Sequence, residues 1–222
     1  MEKAAAGLTY DLRVNGGKVA YVTNVGQVIT LDLYAQVTGA TGNGAAEGFQ
    51  DGFGSVLSSA GGNITGNLAS SFVTPFNGTG SQPGMQQTLD GDSDLDLGSN
   101  STVHSTEFFF ARATSMQTTG GTAITDGTEF KIASFSFTVQ TVGSFADFSP
   151  ISINFQVPLF SNNLDIEALW QQDGLAMSSN GLNGGVQPTV GAAVMVSVPE
   201  PSTLGLLVVA VAGLAARRPR RR

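Results

Sequence analysis

Four aspartates alternate with small or apolar residues in Asp90-Gly91-Asp92-Ser93-Asp94-Leu95-Asp96, and Leu97-Gly98-Ser99-Asn100 follows. Carboxylates at spacing two in a Gly/Ser-rich loop offer hard oxygen ligands to Ca2+. Without a cation, so many like charges repel one another. The pattern is not an EF-hand, because its sixth position is Leu95 instead of Gly and its twelfth is Ser101 instead of Glu. A second copy, which dockerin-type repeats would need, is missing. The alternative to a Ca2+ site at Asp90, Asp92, Asp94 and Asp96 is a solvated acidic turn whose side chains cap nearby backbone.

Other chemistry has little material. His104 is the single histidine and Cys is absent, so His-based metal sites, His-paired nucleophiles, disulfides and thiol chemistry are all without support. Glu107 and Glu129 flank phenylalanines, yet nothing in the spacing sets two carboxylates at a glycosidase separation. Trp170 and Tyr34 could stack on a sugar ring, although a lone Trp more commonly belongs to a core. Sequons begin at Asn63, Asn77 and Asn100 and matter only where a glycosylation machinery exists. The expectation is a protein without catalytic residues, not an enzyme, with Ca2+ as the one cofactor to consider.

Charge separates tail from body. Of ten Lys and Arg residues, five lie in the last six positions. Residues 1–199 keep 5 basic against 16 acidic side chains, a net of −11. An acidic, lysine-poor body argues against nucleic acid as a partner, since phosphate binding is driven by Lys and Arg.

The tail reads Val198-Pro199-Glu200-Pro201-Ser202-Thr203, then the uncharged run Leu204–Ala216, then Arg217, Arg218, Pro219, Arg220, Arg221 and Arg222. Pro199 and Pro201 fix their own φ and bias the preceding residues away from helix, giving an extended, accessible stretch. Thirteen residues make a helix of about 20 Å at ~1.5 Å per residue, short of the ~30 Å hydrocarbon core. The five arginines would hold the end in the cytoplasm by the positive-inside bias and snorkel toward headgroups. In order and position these three parts resemble the PEP-CTERM sorting signal of bacterial envelope proteins. The resemblance implies an exosortase-type membrane enzyme as partner, processing near Val198–Ser202, and transient attachment to the membrane through 204–216. It also implies release or transfer of the body to the cell surface or extracellular matrix. Such a protein should carry a signal peptide, and Met1–Ala6 has no apolar h-region. Ala4-Ala5-Ala6 before Gly7 reads as the remains of an A-x-A cleavage site, so the expected true start lies upstream, with 1–7 a leader remnant.

The elements that must position these residues are strands. Near 190 residues suffice for one sandwich core, and 29 glycines with 12% charged residues suit many turns. Leu8, Tyr10, Leu12 and Val14 share one face opposite Thr9, Asp11 and Arg13, and Asn15-Gly16-Gly17 forms the turn. Ile29, Leu31, Leu33, Ala35 and Val37 form a second inward face, and Ile151, Ile153, Phe155 and Val157 a third before Pro158 ends that strand. Along 128–140 the inward set is Phe130 and Ile132, then Phe135, Phe137 and Val139, which predicts a β-bulge across Ala133-Ser134. Phe108-Phe109-Phe110 reads as a strand buried on both faces, 164–171 as a strand in preference to a helical turn, and 190–198 as the last strand.

Val25-Gly26-Gln27-Val28-Ile29-Thr30-Leu31-Asp32-Leu33 resembles the opening strand of cohesins, and Lys131–Val139 a late core strand of such modules. The sequence therefore predicts an all-β chain. It is a single antiparallel β-sandwich over 8–197, jelly-roll or cohesin-like, followed by a sorting signal over 198–222 with a short hydrophobic helix. The functional expectation is an exported, non-enzymatic envelope or matrix protein, embedded in extracellular polysaccharide. The alternatives are a cohesin-like or carbohydrate-binding module that holds a protein or glycan, and a glycan hydrolase with carboxylates converging in a cleft.

Overall fold

Period-two hydrophobicity makes this chain a pair of sheets packed face to face. The structure is a computed structural model that describes residues 6–41, 44–59, 63–100, 106–143, 150–157, 167–179 and 186–199. Its strands are β1 (Gly7–Arg13), β2 (Val19–Tyr21), β3 (Val28–Thr38), β4 (Gly48–Ser58), β5 (Thr65–Phe72), β6 (Gln82–Pro83), β7 (Gln86–Gln87) and β8 (Asp96–Leu97). The second half supplies β9 (Phe109–Gln117), β10 (Thr122–Ile124), β11 (Gly127–Thr141), β12 (Ile151–Gln156), β13 (Leu169–Gln172), β14 (Leu175–Ser178), β15 (Thr189–Val190) and β16 (Val194–Ser197). One 3-10 turn at Gly44–Ala46 is the helical element among the described residues, where no helix is long and apolar enough to cross a membrane.

The first sheet runs β10-β11-β3-β1-β15, with β5 beside the far half of β11. The second runs β14-β13-β4-β12-β16-β2, and β4 also carries β9 and β8 on its other edge. The expected inward faces hold: Leu8, Tyr10, Leu12 and Val14, then Ile29 to Val37 in steps of two, and Ile151, Ile153 and Phe155 are all buried. Asn15 and Gly16 take φ of 49° and 76°, and Val14 and Gly17 exchange both backbone hydrogen bonds, so the first hairpin turns as its Asn-Gly pair requires. Rings stitch the sheets together. Tyr10 lies 5.0 Å from Phe155, and Phe109 sits between Phe72 at 5.4 Å and Phe135 at 5.0 Å. At Gly54 a Cβ would come within 2.5 Å of the Phe155 ring, so the aromatic packs directly on the β4 backbone.

Three expectations are refined. The bulge falls at Ile132, one position before the expected pair: Lys131 opposes Tyr34 while Ala133 opposes Leu33, and both Ile132 and Ala133 are buried. Phe108, Phe109 and Phe110 are all buried, with Phe108 meeting Phe53 and Phe109 facing the first sheet, as a strand covered on both sides requires. The segment 190–198 is two strands instead of one. β15 lies parallel to β1 in the first sheet, and β16 lies parallel to β2 and antiparallel to β12 in the second. The chain crosses between sheets at Gly191-Ala192-Ala193. The Gly191 N–H donates to Tyr10 O at 2.8 Å and Lys18 Nζ to Ala192 O at 2.7 Å, which small residues permit. These two parallel pairs correct the purely antiparallel expectation, because a chain returning from the far end can lie beside β1 and β2 in their own direction.

Phe135 carries the packing argument. Phe135→Ala should cost about 3–5 kcal/mol, read as a fall of roughly 10 °C in Tm. The exposed Val25→Ala should stay within about 0.5 kcal/mol of wild type in the same melts.

Candidate functional site

The acidic run closes the edge between the two sheets. Leu95 bridges Asn67 of β5: Leu68 N–H donates to the Leu95 carbonyl at 2.8 Å, and Leu95 N–H donates to Asn67 Oδ1 at 3.1 Å. Two residues later Leu97 pairs with Val56 of β4. One short segment is therefore hydrogen-bonded to both sheets.

Its side chains invert the usual alternation. Asp94 and Asp96 are 1% and 0% exposed, whereas Leu95 between them is half-buried. Asp90 is exposed and Asp92 half-buried, so the run is not the solvated turn that one reading of the sequence allowed. The capping part of that reading is present: Asp92 Oδ1 accepts the Asp94 N–H at 2.9 Å, and Asp90 Oδ1 the Asp92 N–H at 3.4 Å. Gly91, with φ of +85°, makes the turn between them. Asp94 Oδ2 accepts from Ser58 Oγ at 2.9 Å on β4 and from Gly66 N–H at 3.3 Å on β5, so one carboxylate joins the sheets. Asp96 Oδ1 accepts from Ser58 N–H at 2.8 Å and Oγ at 3.2 Å, and its Oδ2 accepts from Leu89 N–H at 3.1 Å.

The donors do not cover the acceptors. Ser58 Oγ has one hydrogen and faces an oxygen of each aspartate. Asp94 Oδ1 is buried with no partner. Among the described residues no basic side chain forms an ion pair with any of the four aspartates. Burial, with the Asp92 carboxylate beside it, pushes the Asp94 carboxyl up to about 7, and burial raises Asp96 as well. One oxygen each from Asp90, Asp94 and Asp96 lie within 4.8 Å of one another, a set of hard ligands that fits a divalent cation.

The remaining sequence candidates go elsewhere. Trp170 is fully buried beside Phe49 in the β13–β4 pairing and offers no sugar platform. Tyr34 lies under the Arg13 guanidinium, 4.4 Å from its ring centroid, and with Glu129 lines a cavity of about 260 Å³. Glu129 accepts a two-pronged pair from Arg13 at 3.2 and 2.7 Å and a third bond from Gln36 Nε2 at 3.2 Å. Glu107 accepts from Ser99 Oγ at 2.6 Å, and it precedes β9 of the other sheet. Val198 packs against the core just beyond β16 and Pro199 follows it. His104, Glu200, Pro201, Ser202, the 204–216 segment, Arg217, Arg218, Arg220, Arg221 and Arg222 lie outside the described residues.

Sequence reasoning missed Ser58, Gly66 and Leu89, which supply the hydrogen bonds to the buried aspartates, because no local pattern marks a backbone donor. It also missed Asp51. That carboxylate is 2% exposed on β4, with Arg112 Nε 3.6 Å from one oxygen and the other oxygen unpartnered.

Residues 197–222 match the PEP-CTERM protein-sorting motif. The match covers the whole tail from the last residue of β16 onward and marks the chain as an exported envelope protein sorted through an exosortase. No curated protein matches the chain.

Burial raises the Asp51 carboxyl to about 6, against 3.8 as the ordinary value, with the Arg112 charge opposing the rise. An acid raised in the folded state gives stability that is full below about pH 4 and is lost as pH climbs through about 6. Asp51→Asn removes that titration. Its Tm relative to wild type should therefore improve steadily from about pH 4 to about pH 7, measured by melts in chelator; a constant difference would contradict the assignment.

Proposed function

We propose that this protein is a non-enzymatic β-sandwich of the cell envelope or extracellular matrix, delivered by its C-terminal signal and seated among extracellular polysaccharide. The observation that carries the reading is the PEP-CTERM match over 197–222, which follows directly on a strand held from both sides. Val22 N–H also donates to Ser197 O at 3.0 Å, so the last described strand is anchored up to the start of the processing region. Removal of the tail near Pro199-Glu200-Pro201 would sever no strand pairing among the described residues. Support for a role without catalysis comes from the carboxylates: Glu129 is held by Arg13, and Glu107 lies in the turn before a strand of the opposite sheet.

One observation favours a second reading, a surface module that holds a protein partner. Strand β2 ends the second sheet, and it exposes Val19 and Tyr21 beside Met195 of β16, its register neighbour. An edge that pairs with no further strand among the described residues, with apolar side chains exposed and Gln27 Nε2 donating to Tyr21 O at 2.8 Å, suits an added extended strand.

The sorting reading is tested by expressing the gene with its native upstream DNA and an internal epitope tag in the body. Wild type should appear at the cell surface or in the medium with a mass short of the tail. Replacing Pro199, Glu200 and Pro201 with alanine should leave a full-length, membrane-retained product. Full-length cytoplasmic protein in both cases would refute it.

A further inference from the structure

We propose that Asp90, Asp94 and Asp96 bind one Ca2+ ion that clasps the edge of the sandwich by tying the end of β4 to the start of β5. Three observations meet at this point. The acceptors outnumber the hydrogens available, since the Ser58 hydroxyl is shared between two carboxylates. Asp94 is 99% buried, yet its Oδ1 has no partner. The ligand oxygens of the three aspartates lie within 4.8 Å of one another. Oxygens that close to one another can share one Ca2+ ion at ~2.4 Å from each, and Mg2+, which gives up its waters reluctantly, is the poorer fit to a site with few protein ligands.

The donor set agrees with a hard cation, since it is all oxygen with no nitrogen or sulfur. Asp92 is a positioning residue, because its Oδ1 holds the Asp94 N–H and its charge adds to the field. Exposed Asp90 leaves one side open to water, which fills the remainder of a six- to eight-oxygen shell. Few carboxylates and an open side place the affinity in the range of extracellular modules, about 10⁻⁴–10⁻³ M. The alternative for the same geometry is a proton on Asp94 in place of the ion.

The test uses the full chain stripped with EDTA and titrated with CaCl2 at neutral pH, followed by calorimetry and thermal unfolding. One saturable site is expected, with Tm rising as Ca2+ is added. Asp90→Asn keeps the fold, because Asp90 is exposed, and should weaken Ca2+ binding at least about tenfold without lowering the Ca2+-free Tm. Asp94→Asn should abolish the Ca2+-dependent rise in Tm. No heat and no Tm shift up to about 10 mM Ca2+, or an Asp90→Asn protein that binds as tightly as wild type, would overturn the site. Equal binding of Mg2+ would overturn the assignment to calcium. None of these readouts depends on export or tail processing, so the site and the sorting reading stand or fall separately.

Discussion

Two carboxylates, Asp94 and Asp96, are buried at positions where a sandwich edge ordinarily carries apolar side chains, and burying such groups without a paired cation costs free energy. Asp94 and Asp96 are tolerated because the backbone comes to them: Gly66 N–H from one sheet, and Ser58 and Leu89 N–H groups from the other side of the clasp. The same contacts set the separation of β4 and β5, which share no strand pairing. Dispersion and apolar burial between sheets are non-directional and would permit sliding. A carboxylate hydrogen-bonded to both sheets does not.

From that edge the aromatic core follows. Phe109, placed on β9 beside β4, meets Phe72 at the far end of β5 and Phe135 on β11, so the ring cluster ties the sheets together away from the clasp. Further along β4, Tyr10 and Phe155 come together where the strand carries glycine in place of side chains. Outside the first sheet, Arg13 gathers Asp11, Glu129 and the Tyr34 ring into one half-buried network across β1, β3 and β11. A body with five basic residues before Glu200 spends Arg13, Lys18, Arg112 and Lys131 on ion pairs within the fold. This leaves an acidic surface suited to repel other polyanions and to attract cations.

The C-terminal route connects architecture to destination. Having left the first sheet at β15, the chain crosses to the second as β16 and reaches Val198 at the sandwich boundary. A processing signal placed there is structurally separable, since the strands on either side of β16 anchor it without help from the tail.

Sequence alone determined what depends on local periodicity or on an ordered motif: the strand faces of Leu8–Val14, Ile29–Val37 and Ile151–Phe155, the Asn15-Gly16 turn, and the sorting signal. Inward and outward positions repeat every two residues, so these features are written in neighbouring letters. The bulge was legible to within one residue, because a parity flip shows where register changes but not which residue is left unpaired. The tertiary structure decided what depends on distant partners. The split of 190–198 between two sheets, the pairing of Glu129 with Arg13 and the burial of Asp51 and Trp170 are set by strands more than a hundred residues apart or by the side of a sheet left uncovered. The acidic run shows the division within one motif. Its spacing advertised oxygen ligands, but only the packing of β4 against β5 put Asp94 and Asp96 inside and left them short of hydrogen-bond donors.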